Sequence, residues 1–529
     1  MTTDFPKVDK AALEARGEQG EFVWSPSGGN QDDSIGGNAH MYSYRYKDKS
    51  DRWRAETILV DVGLLHRTKF YGDDVESIDT PDHSEYMPRA EASDGGLIRS
   101  QVDKPVIGAI LMTHGHSDHI AGLAAHIQSG AVTPPIYASK YTAFLIQAHL
   151  ANNGVDQDHW PEINIVKPGD RIELSKRIAV EVSGATHSIP QGLSFLIETP
   201  TARHYHSGDL KVDESSLVAG GTDLNALREW GDRGIDSALI DSTGAPKEGW
   251  AKREQVIRDE ARELVNKHPS KRVTYAVIGS YVEQLAGLGQ VAAQTGRALV
   301  YGGKSVETHI VALQASGIDL PAIVKERTGK DLRILDINSN EARRLKPGEA
   351  LQVVTGVDGD NATVLAQASK GEHESWRPSA DDVVVWPAGY RTAAPEQANA
   401  MDRALRARRV DVMRVGKRSE FGEGHGRAEE MKEIISAIRP AVVIPTHGVP
   451  FMREALIKIG EGLGSKGFDA LNGDIMRIAQ GQVKRIARRV ANWMPANNTK
   501  YPDQPRFNIP PKRFDPGIDP EGGAAHPGL

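Results

Sequence analysis

Leu111-Met112-Thr113-His114-Gly115-His116-Ser117-Asp118-His119 decides how the rest of this chain is read. The apolar run 106–112 reads as a buried strand, and residues 120–127 read as a helix packed on apolar positions. Four metal-capable side chains, His114, His116, Asp118 and His119, therefore fall on a strand-to-helix loop, where a rigid scaffold aims them. His114 and His116 are two residues apart, so in extended backbone they point the same way and share one metal. Asp118 and His119 point elsewhere and are free to hold a second metal beside the first. Imidazole nitrogen with carboxylate oxygen suits borderline metals such as zinc. A His-rich surface loop has no reason to follow a buried strand at this spacing.

The same signal recurs outward from this stretch. Residues 57–63 form an apolar run ending in Asp61, and 180–182 lead into Ser183-Gly184-Ala185-Thr186-His187. His204-Tyr205-His206-Ser207-Gly208-Asp209 ends in a carboxylate. Residues 238–240 are closed by Asp241, and 439–444 by Pro445-Thr446-His447-Gly448. In layered α/β folds strand ends converge on one crevice, so these side chains can meet. Asp61 and Asp241 stand where a carboxylate either caps a turn or orients a metal-binding His. His204 and His206 read as strand residues without a metal role, and His126, His149, His159 and His268 as helix or loop surface.

Between Asp241 and His425 helices and strands alternate, which predicts a second α/β domain with a mainly parallel sheet. Within it, Gly302-Gly303-Lys304-Ser305 reads as a turn offering backbone N–H groups and a cation to an anion. The irregular stretch 64–100 reads as a long surface loop. The basic stretch 484–489 reads as a solvated helix face, and the chain beyond 490 as an extended or disordered tail. The expected division is 20–245 and 389–490 for the first domain, 246–388 for the insertion, and 491–529 for the tail.

The chain has 529 residues and a formal net charge of −7, which excludes a generally basic nucleic-acid coat but not a local basic channel. There are no cysteines, so disulfides and thiolate metal sites are excluded. No stretch is apolar enough to span a bilayer, and residues 1–21 lack an apolar signal core. The expected location is the cytoplasm, with no membrane partner.

The ordered series resembles a known family. His114-x-His116-x-Asp118-His119, with Asp61 before it and His187 and Asp209 after it, resembles the metallo-β-lactamase fold. Asp241, His425 and His447, with an α/β segment inserted before His425, resemble its β-CASP nuclease branch, and within that branch ribonuclease J. The motifs that carry the likeness include Thr186-His187-Ser188-Ile189-Pro190, Ser207-Gly208-Asp209-Leu210-Lys211, Asp241-Ser242-Thr243, Gly303-Lys304-Ser305 and Thr355-Gly356-Val357-Asp358-Gly359-Asp360. The resemblance implies an αββα sandwich with an inserted β-CASP domain. It implies one metal on His114, His116, His187 and Asp209, and a second on Asp118, His119, Asp209 and His447. Two Zn2+ are expected, with Mn2+ or Mg2+ as alternatives.

The implied reaction is phosphodiester hydrolysis of RNA, in exo or endo mode, by water activated between two metals. DNA or another phosphodiester is the alternative substrate, and non-catalytic RNA binding a third reading. Asp118, His425, Asp241 and Asp61 make up the expected catalytic set. Lys304, Ser305 and Gly424 are expected at the substrate, and a homo-dimer or larger homo-oligomer is an expected assembly. This chain departs from the ribonuclease J pattern in Phe421-Gly422-Glu423-Gly424-His425, in Ser280-Tyr281 with Gln284, and in Ala394-Pro395-Glu396-Gln397. Glu423 would repel phosphate unless turned away or paired. These changes spare the metal residues and fall on the nucleic-acid pocket.

Overall fold

A computed structural model describes residues 20–32, 35–64, 86–88, 107–128, 133–357, 362–387, 395–415, 423–488 and 493–495. Asp358, Asp360, Phe421 and Ala394, singled out in the sequence, lie outside these residues. So does most of the stretch 64–100 and of the tail. From those two regions Tyr86–Pro88 and Trp493–Pro495 are described, and they pair as a two-stranded antiparallel sheet.

Period-two alternation builds the first layer pair. In Gly20–Gly28 and Ala39–Lys47, Phe22 lies opposite Tyr44 and Trp24 opposite Tyr42, so four aromatics share one face. In Ala179–Gly184 and Leu193–Glu198, Val180 lies opposite Ile197 and Val182 opposite Phe195. These faces meet in one buried cluster between an eight-stranded and a seven-stranded sheet. Each large side chain removed from water there contributes about 1.5–3 kcal/mol before chain entropy is counted. Helices Leu224–Asp232, Ala428–Ile438 and Pro450–Gly462 cover the outer face of the seven-stranded sheet.

The third sheet has six strands, and every adjacent pair in it is parallel. Its strands are near-continuous apolar runs such as Arg272–Val277, as burial on both faces requires. It leaves the second sheet after Ile235–Asp241, and the chain returns to the neighbouring parallel strand Pro440–Thr446. The sequence reading returned the chain to the first unit at residue 389. Instead Asp411–Val415 pairs in parallel with Asp382–Pro387, so the insertion extends past that point. Helix Pro395–Ala407 is the crossover that a parallel pair needs.

A second correction concerns the basic stretch expected as a helix face. Gln482–Arg488 is a strand, paired antiparallel with Asp474–Ala479. Gln480 and Gly481 form the two-residue turn, both at positive φ (52° and 67°), the geometry that matches strand twist in tight hairpins.

This topology gathers strand ends. Trp53–Val60 and Ile107–Leu111 run parallel in the first sheet, as do Arg203–His206, Ile235–Asp241 and Pro440–Thr446 in the second. Their carboxyl ends all open on one crevice, roofed by the insertion at Ser280.

Candidate metal centre

The loop after Ile107–Leu111 presents its side chains as a fan. His114 Nε2 and His187 Nε2 each lie 3.1 Å from His116 Nδ1. That is close to the ~3.3 Å edge of a tetrahedron of nitrogens around a cation at about 2.0 Å. His116 therefore faces the centre with Nδ1, whereas His114 and His187 do so with Nε2. The other nitrogen of His116 looks toward the Ser280 carbonyl and the Ser188 hydroxyl, each at 3.4 Å.

A second group sits beside the first. His447 Nε2 lies 3.0 Å from Asp118 Oδ2, and His119 Nε2 lies 3.8 Å from the same oxygen. Asp209 Oδ2 stands between the groups. It is 3.8 Å from both His114 Nε2 and His187 Nε2, 3.4 Å from His119 Nε2 and 3.5 Å from His447 Nε2. His114, His116 and His187 thus form one set of atoms able to hold a metal, and Asp118, His119, Asp209 and His447 another.

Charge in this buried place follows the carboxylates. Burial, aided by neighbouring rings, keeps His114 and His187 well below the ordinary imidazole pKa, so both offer lone pairs. Burial also opposes charge on His447, but Asp209 and Asp118 outweigh it and raise its pKa to about 9. His119 is raised too, by Asp209, Asp118 and Asp61 against its burial. The carboxylates thus demand positive charge, and neutral imidazoles stand ready beside them. A divalent cation fits that donor set.

Each inward nitrogen is backed by a bond at the other ring nitrogen. Asp61 Oδ2 accepts from His119 Nδ1 at 2.7 Å, and Asp241 Oδ2 from His425 Nδ1 at 2.7 Å. The Gly424 carbonyl accepts from His187 Nδ1 at 2.6 Å. A Cβ on Gly424 would come within 2.6 Å of His187 Cε1, so this close approach needs glycine. Gly424, expected at the substrate, is turned to His187. His425 packs between His187 and His447, with ring centroids 4.9 and 5.2 Å away.

Other predicted residues lie elsewhere. Lys304 and Ser305 open the helix Lys304–Ala315 in the insertion, both exposed. Glu423 is buried and paired with Lys247 and Arg427, the latter at 2.7 Å. Burial opposes its charge, yet Arg427 and Lys247 hold its pKa below the usual value. Tyr281 turns its hydroxyl to Glu254 at 2.8 Å, and Glu254 is held by the buried Lys211 at 2.6 Å. His204 and His206 lie on the strand Arg203–His206, and neither joins the metal-capable groups.

The sequence reading missed Thr113 and Thr243. Thr113 gives its N–H to Asp61 at 2.8 Å, and its hydroxyl meets His114 Nδ1 at 3.0 Å. The Thr243 hydroxyl meets His447 Nδ1 at 2.8 Å. The signal was present, since each Thr follows a strand end within the motifs quoted above.

Two back-to-back sheets, a parallel α/β unit inserted between adjacent strands and this His/Asp crevice define a metallo-β-lactamase fold of the β-CASP kind. Residues 96–247 match the β-lactamase superfamily domain. Among the proteins that the chain resembles over most of its length are ribonuclease J proteins. It is 27% identical to ribonuclease J 1 of Streptococcus pyogenes serotype M3 over 451 residues, 84% of this chain and 73% of that protein. It is 25% identical to ribonuclease J of Sinorhizobium meliloti over 467 residues, 88% of this chain and 76% of that one. A solved structure of a protein of unknown function from Enterococcus faecalis V583 matches 87% of this chain and all of its own. Its TM-score is 0.54 at 15% identity, a likeness of fold.

Proposed function

We propose that this protein is a metal-dependent phosphodiester hydrolase that cleaves RNA. The observation that carries the reading is Asp209 Oδ2, within 3.8 Å of inward nitrogens from both groups. Asp209 would therefore serve both sets. His114, His116 and His187 would hold the first cation and Asp118, His119 and His447 the second, Zn2+ by donor type with Mn2+ or Mg2+ as alternatives. Such a pair, when bound, supplies Lewis acidity to the phosphoryl group and acidifies water.

The chain's own residues supply the rest. Asp61 and Asp241 fix the poses of His119 and His425. His425, held through Nδ1, keeps Nε2 for the phosphoryl oxygens or the departing oxygen. The names of the similar proteins, ribonuclease J, support RNA as substrate and a nuclease as the class. Lys304 and Ser305, exposed at a helix start, are proposed to meet the substrate backbone.

A second reading, DNA or a small phosphodiester, rests on the departures from the ribonuclease J pattern at Ser280-Tyr281 and Glu423. Glu423 and Tyr281 both turn inward to protein partners, and neither offers substrate phosphate a donor. One assay separates the two readings. RNA and DNA carrying 5′-monophosphate, triphosphate or hydroxyl ends are incubated with Zn2+ or Mn2+ and with wild type or His116→Ala. Metal-dependent RNA cleavage lost in the variant is the expected result. Preference for DNA selects the second reading, and no cleavage of any substrate overturns both.

A further inference from the structure

The two ends of the crevice are built alike. At one, Asp61 Oδ1 accepts the Thr113 N–H at 2.8 Å, Asp61 Oδ2 accepts His119 Nδ1 at 2.7 Å, and the Thr113 hydroxyl meets His114 Nδ1 at 3.0 Å. At the other, Asp241 Oδ1 accepts the Thr243 N–H at 2.9 Å, Asp241 Oδ2 accepts His425 Nδ1 at 2.7 Å, and the Thr243 hydroxyl meets His447 Nδ1 at 2.8 Å. Each end has one Asp, one Thr and two His. The Asp orients the Thr backbone and one ring, and the Thr hydroxyl takes the second ring.

We propose that Thr243 is a positioning residue that fixes the ring tautomer and pose of His447, as Thr113 does for His114. A hydroxyl has one hydrogen. The Thr243 hydroxyl lies 2.6 Å from the His447 carbonyl, which can only accept, so the hydrogen is spent there. The oxygen must then accept from His447, which places a ring hydrogen on Nδ1 and leaves Nε2 as the nitrogen that a cation would take. That Nε2 faces Asp118 and Asp209 at 3.0 and 3.5 Å. The Thr113 hydroxyl likewise spends its hydrogen on Asp61 Oδ2 at 2.8 Å and accepts from His114 Nδ1.

Thr243 has a second task that Thr113 lacks. His447 is a non-glycine residue at φ 55°, in the left-handed region that side chains rarely adopt. The bond to its carbonyl from Thr243 and the bond from its N–H to the Gly29 carbonyl at 2.9 Å hold it there. One hydroxyl thus secures both the backbone and the ring of a residue 204 positions away.

The inference rests on the two-cation reading, and metal titration tests the two separately. Wild type, Thr243→Val and Thr243→Ser are stripped with chelator and titrated with Zn2+ and Co2+. The readouts are stoichiometry, affinity and the Co2+ visible spectrum. Valine keeps the shape without the hydroxyl, and serine keeps the hydroxyl without the methyl. The expected result is that Thr243→Val binds one cation as wild type does and a second about 10–100-fold more weakly, while Thr243→Ser restores the second. Equal binding by wild type and Thr243→Val overturns the inference alone, as does a Thr243→Ser as weak as valine. Fewer than two cations on wild type overturns the two-cation reading and this inference with it. If Thr243→Val does not fold, the 15N histidine spectrum of wild type decides, with His447 assigned by its absence in His447→Gln. In the Zn2+-loaded protein a hydrogen on Nδ1 supports the inference, and an Nδ1 without one overturns it.

Discussion

Two histidine clusters lie one above the other in this molecule, and only one has the makings of a metal centre. The upper cluster, on the crevice loops, sets His119 and His447 against Asp118 and Asp209. The lower, between the sheets, holds His40, His204 and His206 around Tyr42, each at most 2% exposed. There the Tyr42 hydroxyl meets His204 Nε2 at 3.1 Å and His206 Nδ1 at 2.8 Å, and His204 Nδ1 meets the Ser237 hydroxyl at 2.8 Å. Phe22 and Trp24 pack on His204. Burial pushes His204 down to about 3 and His40 and His206 well below the ordinary value. The residue type is shared, and what differs is the company. Carboxylates make the upper cluster a place for cations, and a hydroxyl chain makes the lower one a neutral packing layer.

The difference breaks most sharply at Asp209. Asp209→Ala should release both cations and lower cleavage by about 10³-fold or more, the scale of a group that bears transition-state charge. Metal analysis and single-turnover cleavage read this, and a variant that keeps two cations would show that the bridge is not needed. Asp61→Asn should act first on His119, which it bonds directly, and only through the Thr113 hydroxyl on His114. It leaves His119 in place but weakens its anchor, so affinity for the second cation should fall about 10–100-fold, measured by competition with a chelating dye. Unchanged affinity would mean that the His119–Asp61 bond is structural only.

Much of the upper cluster was legible because its parts are local. His114, His116, Asp118 and His119 fall within one span of six residues just after a buried strand, and Asp209 and His447 each follow a strand end. What escaped was set by contacts across the chain. Which nitrogen His116 turns inward depends on Ser280, and the part played by Thr243 depends on His447, whose ring reaches it only in the folded state. Whether Glu423 would repel phosphate or be paired stayed open in the sequence because Lys247, 176 residues before it, is invisible as a partner there. The hairpin at Gln480–Gly481 was missed because a basic run masked a turn signal only two residues long. The boundary at 389 fell short of Asp411–Val415 because a parallel strand carries no mark of which sheet receives it.

The lower cluster should announce itself by pH. His204 takes a proton at about 3 in the fold and near 6.5 when unfolded, so the unfolded chain binds that proton first. Stability is then whole above about pH 6.5 and is lost as pH falls toward 3, by about 1.4 kcal/mol per pH unit for each such histidine. Urea unfolding of metal-stripped protein between pH 7 and 4 should show this slope, and His204→Phe should make it shallower. An unchanged slope in that variant would assign the acid sensitivity elsewhere.

The smallest effect separates the clusters most cleanly. Tyr42 has one hydroxyl hydrogen and two ring partners, so it donates to one and accepts from the other, and the chain from Ser237 through His204 to His206 runs head to tail. Tyr42→Phe keeps the packing against Phe22, 5.9 Å away and nearly parallel, but leaves two buried ring nitrogens without partners. The expected loss is about 1–3 kcal/mol of stability, the cost of stranding buried polar groups. Cation stoichiometry and cleavage under native conditions should not change, because no carboxylate of the centre bonds to that hydroxyl. If Tyr42→Phe instead loses a cation while remaining folded, the two clusters are coupled, and the lower one orients Asp209 through His206, three residues before it on the same strand end.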